Sequence, residues 1–283
     1  MATRTPWVLN FDADLELEDR SYQRSRAVEA RFEELKTRVG DLVREGPPGH
    51  GYAFCPTPSA LRSLRALGAT RVDAPAYDVL RRANHRAFCH ALPDRLSGSE
   101  MCANIHDVEK VLAVGTSELG WFLRRPFGFA GRGRKRVARF IPDDVRAWLN
   151  ASFARADTIE IVPIVERVTD LSLHGYLSQT GELTEGEITI QRCDAEGAWM
   201  DSRRANETDV DPAHATRLRE TLDDVAIRLN AVGYFGPFGI DGFVWRAQSG
   251  STRFHACSDI NARYSMGYSV GMGDRRPELA ADR

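Results

Sequence analysis

Hydrophobic residues recur along this chain at two spacings, and the switches between them mark out its elements. Val28, Phe32, Leu35, Val39 and Leu42 return every three or four residues, the stripe of an amphipathic helix. Leu218, Leu222, Val225, Leu229 and Val232 do the same between an Asp211-Pro212 cap and Gly233, and a further helix starting at Asp143 carries Val145, Trp148, Leu149 and Phe153. From 77 to 90 the chain predicts one basic helix holding Arg81, Arg82, His85, Arg86 and His90. Strands are expected at 7–11, 52–55, 121–126, 136–140, 158–165, near 171, at 187–191 and 197–200, and in a hairpin formed by 242–247 and 252–259. Pro163 interrupts the most apolar of these and so belongs at an edge or bend. The opening order of strand, helix, strand, helix, the last of them capped at Thr57-Pro58 and closed by Gly68, predicts a small α/β unit with a parallel sheet. No segment repeats.

Composition narrows this picture without redirecting it. With 283 residues, 42% hydrophobic and 28% charged, the chain is globular, with room for one large domain or two to three lobes. A net charge of -2 argues against a globally basic nucleic-acid binder. No apolar run approaches a membrane span and acids appear by Asp12, so a soluble, cytoplasmic protein is expected. The five cysteines are odd in number and scattered, which fits reduced thiols. His85, Cys89, Cys102 and His106 pair at four-residue spacing, but without a Cys-x2-Cys knuckle they read as core or surface residues rather than zinc ligands.

Two stretches carry candidate chemistry. In the C-terminal hairpin, a turn centred near Gly250 sets Asp241 opposite Asp259, with Cβ atoms roughly 5 Å apart. Like charges so opposed repel unless a cation lies between them. Side chains two apart share a strand face, so Asn261 and Arg263 join Asp259, and hard oxygen ligands of this kind suit Mg2+. The second stretch is Phe127-Gly128-Phe129-Ala130-Gly131-Arg132-Gly133-Arg134, a loop between two strands. A Walker loop or Rossmann fingerprint leads into a helix, so neither applies. Alternating glycines let backbone N–H groups close on an anion, and seven cationic side chains between Arg124 and Arg139 favour a phosphate cradle.

A glycine-rich hairpin loop behind a basic strand, an apolar strand with a proline bend, and Asp241 with Asp259-x-Asn261-x-Arg263 stand in a fixed order. Together they resemble the ATP-grasp superfamily, of the carboxylate-amine ligase type, over residues 83–267. The resemblance implies an α+β ATP-grasp fold with an N-terminal α/β (pre-ATP-grasp) domain: 1–80 as that domain, 81–160 as the small lobe with the glycine-rich loop, and 161–283 as the lobe with the metal site. It implies nucleotide contacts from Arg86 and Arg124, where members usually carry lysines, and from Gly128, Phe129, Ala130, Gly131 and Gly133 over the phosphates. Val162, Pro163, Ile164 and Val165 correspond to the hinge that meets adenine, and Asp170 to the region that supplies an acid to the ribose. Asp241, Asp259 and Asn261 correspond to the metal ligands, while Arg263 and Arg132 would stabilise charge at the transferred phosphoryl group. Arginine for both lysines, Asp259 for the usual glutamate, and Val162 where an acid is common are departures from the pattern.

The activity so implied uses ATP and Mg2+, with Mn2+ as the alternative metal, to join a carboxylate to an amine through an acylphosphate, releasing ADP. The substrates would be small-molecule or peptide carboxylates and amines, with no nucleic acid or membrane partner and a homodimer left open. An ATP-grasp kinase acting on a small molecule, and a nucleotide-binding scaffold that no longer catalyses, are the alternatives.

Overall fold

The structure, a computed structural model, describes residues 4–128, 133–155, 157–194 and 199–280. Trp7–Val8 (β1) runs parallel to Tyr52–Ala53 (β2), accompanied by Ala13–Glu18 (α1), Arg26–Arg38 (α2) and Pro58–Ala66 (α3), the last packed on both strands. The strands are shorter than their apolar runs. Beyond Val8 the pairing passes to a side chain: Asn10 donates from Nδ2 to the Cys55 carbonyl at 2.8 Å and accepts at Oδ1 from the Cys55 N–H at 3.1 Å.

The basic helix expected over 77–90 is two helices, Tyr77–Asn84 (α4) and Arg86–His90 (α5). His85 between them is extended, with φ -74° and ψ 131°, and its Nδ1 accepts the Ala87 N–H. Asn84 is bonded on both sides to the backbone of Ala262, which anchors the break to the C-terminal hairpin.

Glu100–Cys102 (β3), Ile105–Val114 (α6), Trp121–Arg124 (β4), Arg134–Val137 (β5), Asp143–Phe153 (α7) and Ile159–Pro163 (β6) form an antiparallel sheet ordered β3-β6-β4-β5 with two helices on one face. Trp121, Leu123, Val137, Ile159 and Ile161 fill that face against Val108, Leu112, Val145 and Leu149. The two-residue period then turns Phe122, Arg124, Glu160 and Val162 to the opposite face. Pro163 ends an inner strand rather than an edge strand. β3 reaches only as far as Ile161, and Ile164 donates to the Gly120 carbonyl on the β4 side, so the N–H that proline lacks falls where no strand pairs.

Glu166–Leu177 (β7), Leu183–Glu185 (β8), Thr189–Cys193 (β9), Trp199–Arg204 (β10), Pro212–Ala231 (α8), Gly236–Arg246 (β11), Thr252–Asn261 (β12) and Tyr268–Met272 (α9) complete the chain. The large sheet runs β10-β9-β7-β11-β12, with β8 paired to β7. Its apolar face, Leu171, Leu173, Phe238, Ile240 and Ile260, packs on Leu218, Leu222, Val225 and Leu229 of α8. In the strand expected near 171, Leu171 through Gly175 are all buried rather than alternately exposed, because central β7 is covered on both faces. The face away from α8 carries Ser172, Asp241, Asp259 and Asn261, and it looks onto the bare face of the small sheet across a cleft.

Candidate active site

Asp241 stands directly opposite Asp259, by a route the turn alone would not supply. Near the turn Arg246 pairs with Thr252 and Phe243 with His255, a register that would bring Cys257 to Asp241. A bulge then sets two extra residues of β12 against Gly242 and moves Asp259 into place. Gly242 permits it: a Cβ there would lie 2.8 Å from the carbonyl oxygens of both His255 and Ala256.

Neutral donors hold Asp241. Ser172 Oγ and Gln191 Nε2 each donate to its Oδ1 at 2.6 Å, and Asn261 Nδ2 donates to its Oδ2 at 2.9 Å. Burial raises its pKa, and the nearby Asp259 adds to the effect, so that the carboxyl is pushed up to about 6 despite those bonds. Asp259 is held by a cation instead, accepting from Arg86 Nη1 at 3.0 Å. Arg86 also donates from Nε to the Arg125 carbonyl, and Cys89, one turn on, rests its sulfur 3.7 Å from that of Cys257, seating α5 on β12.

On the opposite wall Arg124 donates from Nε to Glu160 at 2.7 Å. Burial opposes the charge on Glu160, but Arg124, a bond with His90 and the charge of Arg86 outweigh it and bring its pKa down to about 2. Arg134 lies across β5 from Arg124 and over the Phe122 ring; burial, with Arg167, Arg124 and Arg86 close by, lowers its pKa. Arg86, Arg124, Arg134, Arg167, Gly128, Asp170, Asp241, Asp259, Asn261 and Arg263 all line one cleft of about 530 Å³.

Not every expected residue lines this cleft, and those that do are held in different ways. Phe129, Ala130, Gly131 and Arg132 lie outside the described residues. Gly133 closes the neck of the β4–β5 hairpin, with φ +75° and its carbonyl taking the Arg125 N–H, and does not line the cleft. Neither do Val162, Pro163, Ile164 and Val165. On β6 it is Glu160, two residues before Val162 on the same face, that reaches the cleft arginine. Asp170 lines the cleft while accepting from Arg167 at 2.8 Å. Arg263 follows β12 rather than continuing it, and donates from Nη2 to Asp14 at 2.9 Å.

The residues present fit a hard divalent cation. Two carboxylates face each other and a carboxamide stands beside them, the few-ligand set on which Mg2+ completes its shell with water and phosphate oxygens. Among the described residues no group of three or more His, Cys, Asp or Glu gathers as a closed, softer site would require.

No protein-family model matches the sequence, and no functionally curated protein is similar to it in sequence. Solved structures do match. The biotin carboxylase from Campylobacter jejuni, in complex with β-γ-ATP, superposes at a TM-score of 0.59, covering 98% of this chain and 66% of its own at 13% identity. The biotin carboxylase domain of the Hydrogenobacter thermophilus 2-oxoglutarate carboxylase, in complex with magnesium ADP, ADP and bicarbonate, gives 0.51 over 83% of this chain and 51% of its own, at 13% identity. The chain has the ATP-grasp fold. D-cycloserine synthetase DcsG shares the fold at a TM-score of 0.50 and 11% identity, covering 93% of this chain and 92% of its own. Several other matched structures are about twice as long as the part this chain spans. Glu160, Ser172 and Gln191 are residues that sequence reasoning passed over, while Arg134 entered it only as one of the cations of the glycine-rich stretch. Of the three, only Glu160 left a signal, as an acid between Ile159 and Ile161 in the most apolar strand.

Proposed function

We propose that the chain is an ATP- and Mg2+-dependent enzyme that joins a carboxylate to an amine, with residues 1–80, 81–160 and 161–283 as its three units. The observation that carries this reading is the cleft itself, where Asp241 and Asp259 face each other with Asn261 beside them and four arginines, Arg86, Arg124, Arg134 and Arg167, line the same space. Phosphoryl transfer asks a protein for positioning and charge neutralisation more than for a nucleophile, and no cysteine or serine nucleophile with a paired base is needed. Asp241, Asp259 and Asn261 would hold the metal, which when bound supplies positive charge at the phosphate oxygens. Arg86 and Arg124 would meet the nucleotide phosphates, and Arg263 would stabilise the charge where the phosphoryl group passes to the substrate carboxylate. The carboxylate oxygen attacks the γ-phosphorus and ADP leaves; the amine then displaces inorganic phosphate from the acylphosphate and gives up a proton. The matched carboxylases, solved with ATP and magnesium ADP, are consistent with nucleotide use on this fold.

A specific observation favours a second reading, a scaffold that binds nucleotide without turnover: Arg86 and Arg124 are already ion-paired, with Asp259 and Glu160. One incubation separates the two. The protein, ATP, Mg2+ and a mixture of amino acids are combined and the products read by mass spectrometry. The proposal expects ADP, phosphate and a condensation product lighter than its parts by one water. AMP with pyrophosphate contradicts the acylphosphate route, and an intact ATP pool supports the scaffold.

A further inference from the structure

Beyond Asn261 the lining of the cleft changes character. Arg263 lies over the Phe54 ring, its guanidinium carbon 5.4 Å from the ring centre, and past it the walls are Phe11, Phe54, Leu35, Trp199 and Met266. All five belong to, or pack on, one apolar cluster that joins Phe11, Phe32 and Phe54 of the N-terminal unit to Tyr264, Tyr268 and Met272. We infer that this end of the cleft is the acceptor subsite and that it takes a carboxylate whose body is apolar, aromatic or branched, as in an apolar amino acid; the inference rests on the reading of the acid pair as the reacting end.

Most polar groups at this end are matched within the protein, Ser265 Oγ being buried without a hydrogen-bond partner among the described residues. Trp199 donates its indole N–H to Ser202 Oγ at 2.8 Å and so presents only its ring to the cleft. Arg38 at the rim is ion-paired with Glu34, and Arg263 with Asp14. A charged or strongly polar substrate body placed among these walls would lose its water and meet no counter-charge, whereas an apolar body gains roughly in proportion to the area it buries. Met266 is the adaptable part of the wall, since an unbranched thioether can repack around bodies of different shape. The carboxylate end is fixed by Arg263. Its planar fork carries five N–H donors, of which contacts to Asp14 and the Tyr264 carbonyl engage Nη2 and Nη1, and it stands two residues from Asn261, between the acid pair and the apolar wall.

The test is a calorimetric titration of the full chain with L-phenylalanine, L-leucine, L-glutamate and L-lysine, in Mg2+ with the non-hydrolysable analogue AMPPNP and again without nucleotide. Binding of AMPPNP itself is measured first and reports on the nucleotide reading separately. The inference expects phenylalanine or leucine to bind at least tenfold more tightly than glutamate or lysine, a difference of about 1.4 kcal/mol. Leu35→Glu, on the half-exposed face of α2, should remove that preference while AMPPNP still binds, which shows the variant to be folded. Met266→Lys should do the same from the opposite wall. Equal or tighter binding of the charged amino acids, no binding of the apolar ones in either condition, or a preference untouched by both variants would overturn it.

Discussion

Glu160, buried behind the cleft arginine Arg124, and Asp241, on the facing wall, sit in environments that push the same functional group in opposite directions. Glu160 comes down to about 2, because two arginines and a bond with His90 outweigh its burial; Asp241 goes up to about 6, because it is buried, its partners are neutral and its neighbour is another acid. The small-sheet wall therefore meets a ligand with its charges already balanced inside the protein. The large-sheet wall does not. A cation added to the cleft gains most beside Asp241, whose hydrogen-bond partners are neutral while Arg86 is turned to Asp259. The difference leaves the cleft paired in charge on the small-sheet side and suited to a cation on the other.

Three substitutions sharpen this contrast, and the largest effect is expected at Glu160. Glu160→Gln leaves Arg124 and His90 beside a neutral amide in a place where only 8% of the Glu160 side chain is exposed, and should lower unfolding free energy by about 3 kcal/mol. Chemical denaturation measures it. An unchanged midpoint would mean the pair is ornamental. Asp259→Asn strands Arg86 in the same way, but the Asp259 side chain is 35% exposed, so the loss should be smaller, about 1 to 2 kcal/mol. The repulsion between facing acids, taken alone, would make the same variant neutral or stabilising; the ion pair with Arg86 reverses that sign.

Asp241→Asn should move stability the other way, and with a pH signature. An acid whose pKa is raised on folding contributes its full stability below the unfolded value near 3.8 and loses it as pH climbs through about 6. Wild type therefore carries an electrostatic penalty at pH 7 of at most about 3 kcal/mol, reduced by whatever water in the cleft screens. In the variant the decline between pH 4 and 7 should flatten, and Asn261, free to turn its amide, can keep a bond to the new side chain. A variant less stable than wild type at pH 7 and equal to it at pH 4 would show that Asp241 is held as a structural charge.

What the sequence made legible follows the range of the interactions involved. Strand periodicity was enough to bring Asp241, Asp259 and Asn261 to one face, because each lies within one hairpin. Even there the agreement concealed two offsetting features, a turn one residue earlier than Gly250 and a bulge at Gly242 that restores the pairing. The pattern over 77–90 could not reveal the break at His85, since what stabilises it is the backbone of Ala262, far along the chain. Arg263 reads as the next residue of a strand, yet its place is decided by Asp14 near the other end of the sequence. The hinge over 162–165 was set by family order, while the residue of that strand that holds the cleft arginine Arg124 is Glu160, on the strand face shared with Val162. Local pattern located elements and faces; long-range ion pairs decided which polar side chains reach the cleft.

The central claim is that the charge left unanswered on the large-sheet wall is there for a metal bound together with a nucleotide. Calorimetric titration of AMPPNP tests it most directly, in Mg2+ and in EDTA, with wild type and Asp241→Asn side by side. The account predicts binding at least tenfold tighter with Mg2+ in wild type, and a variant whose affinity in Mg2+ falls to the EDTA value. Binding indifferent to Mg2+ in wild type, or a full Mg2+ gain retained in the variant, would contradict it.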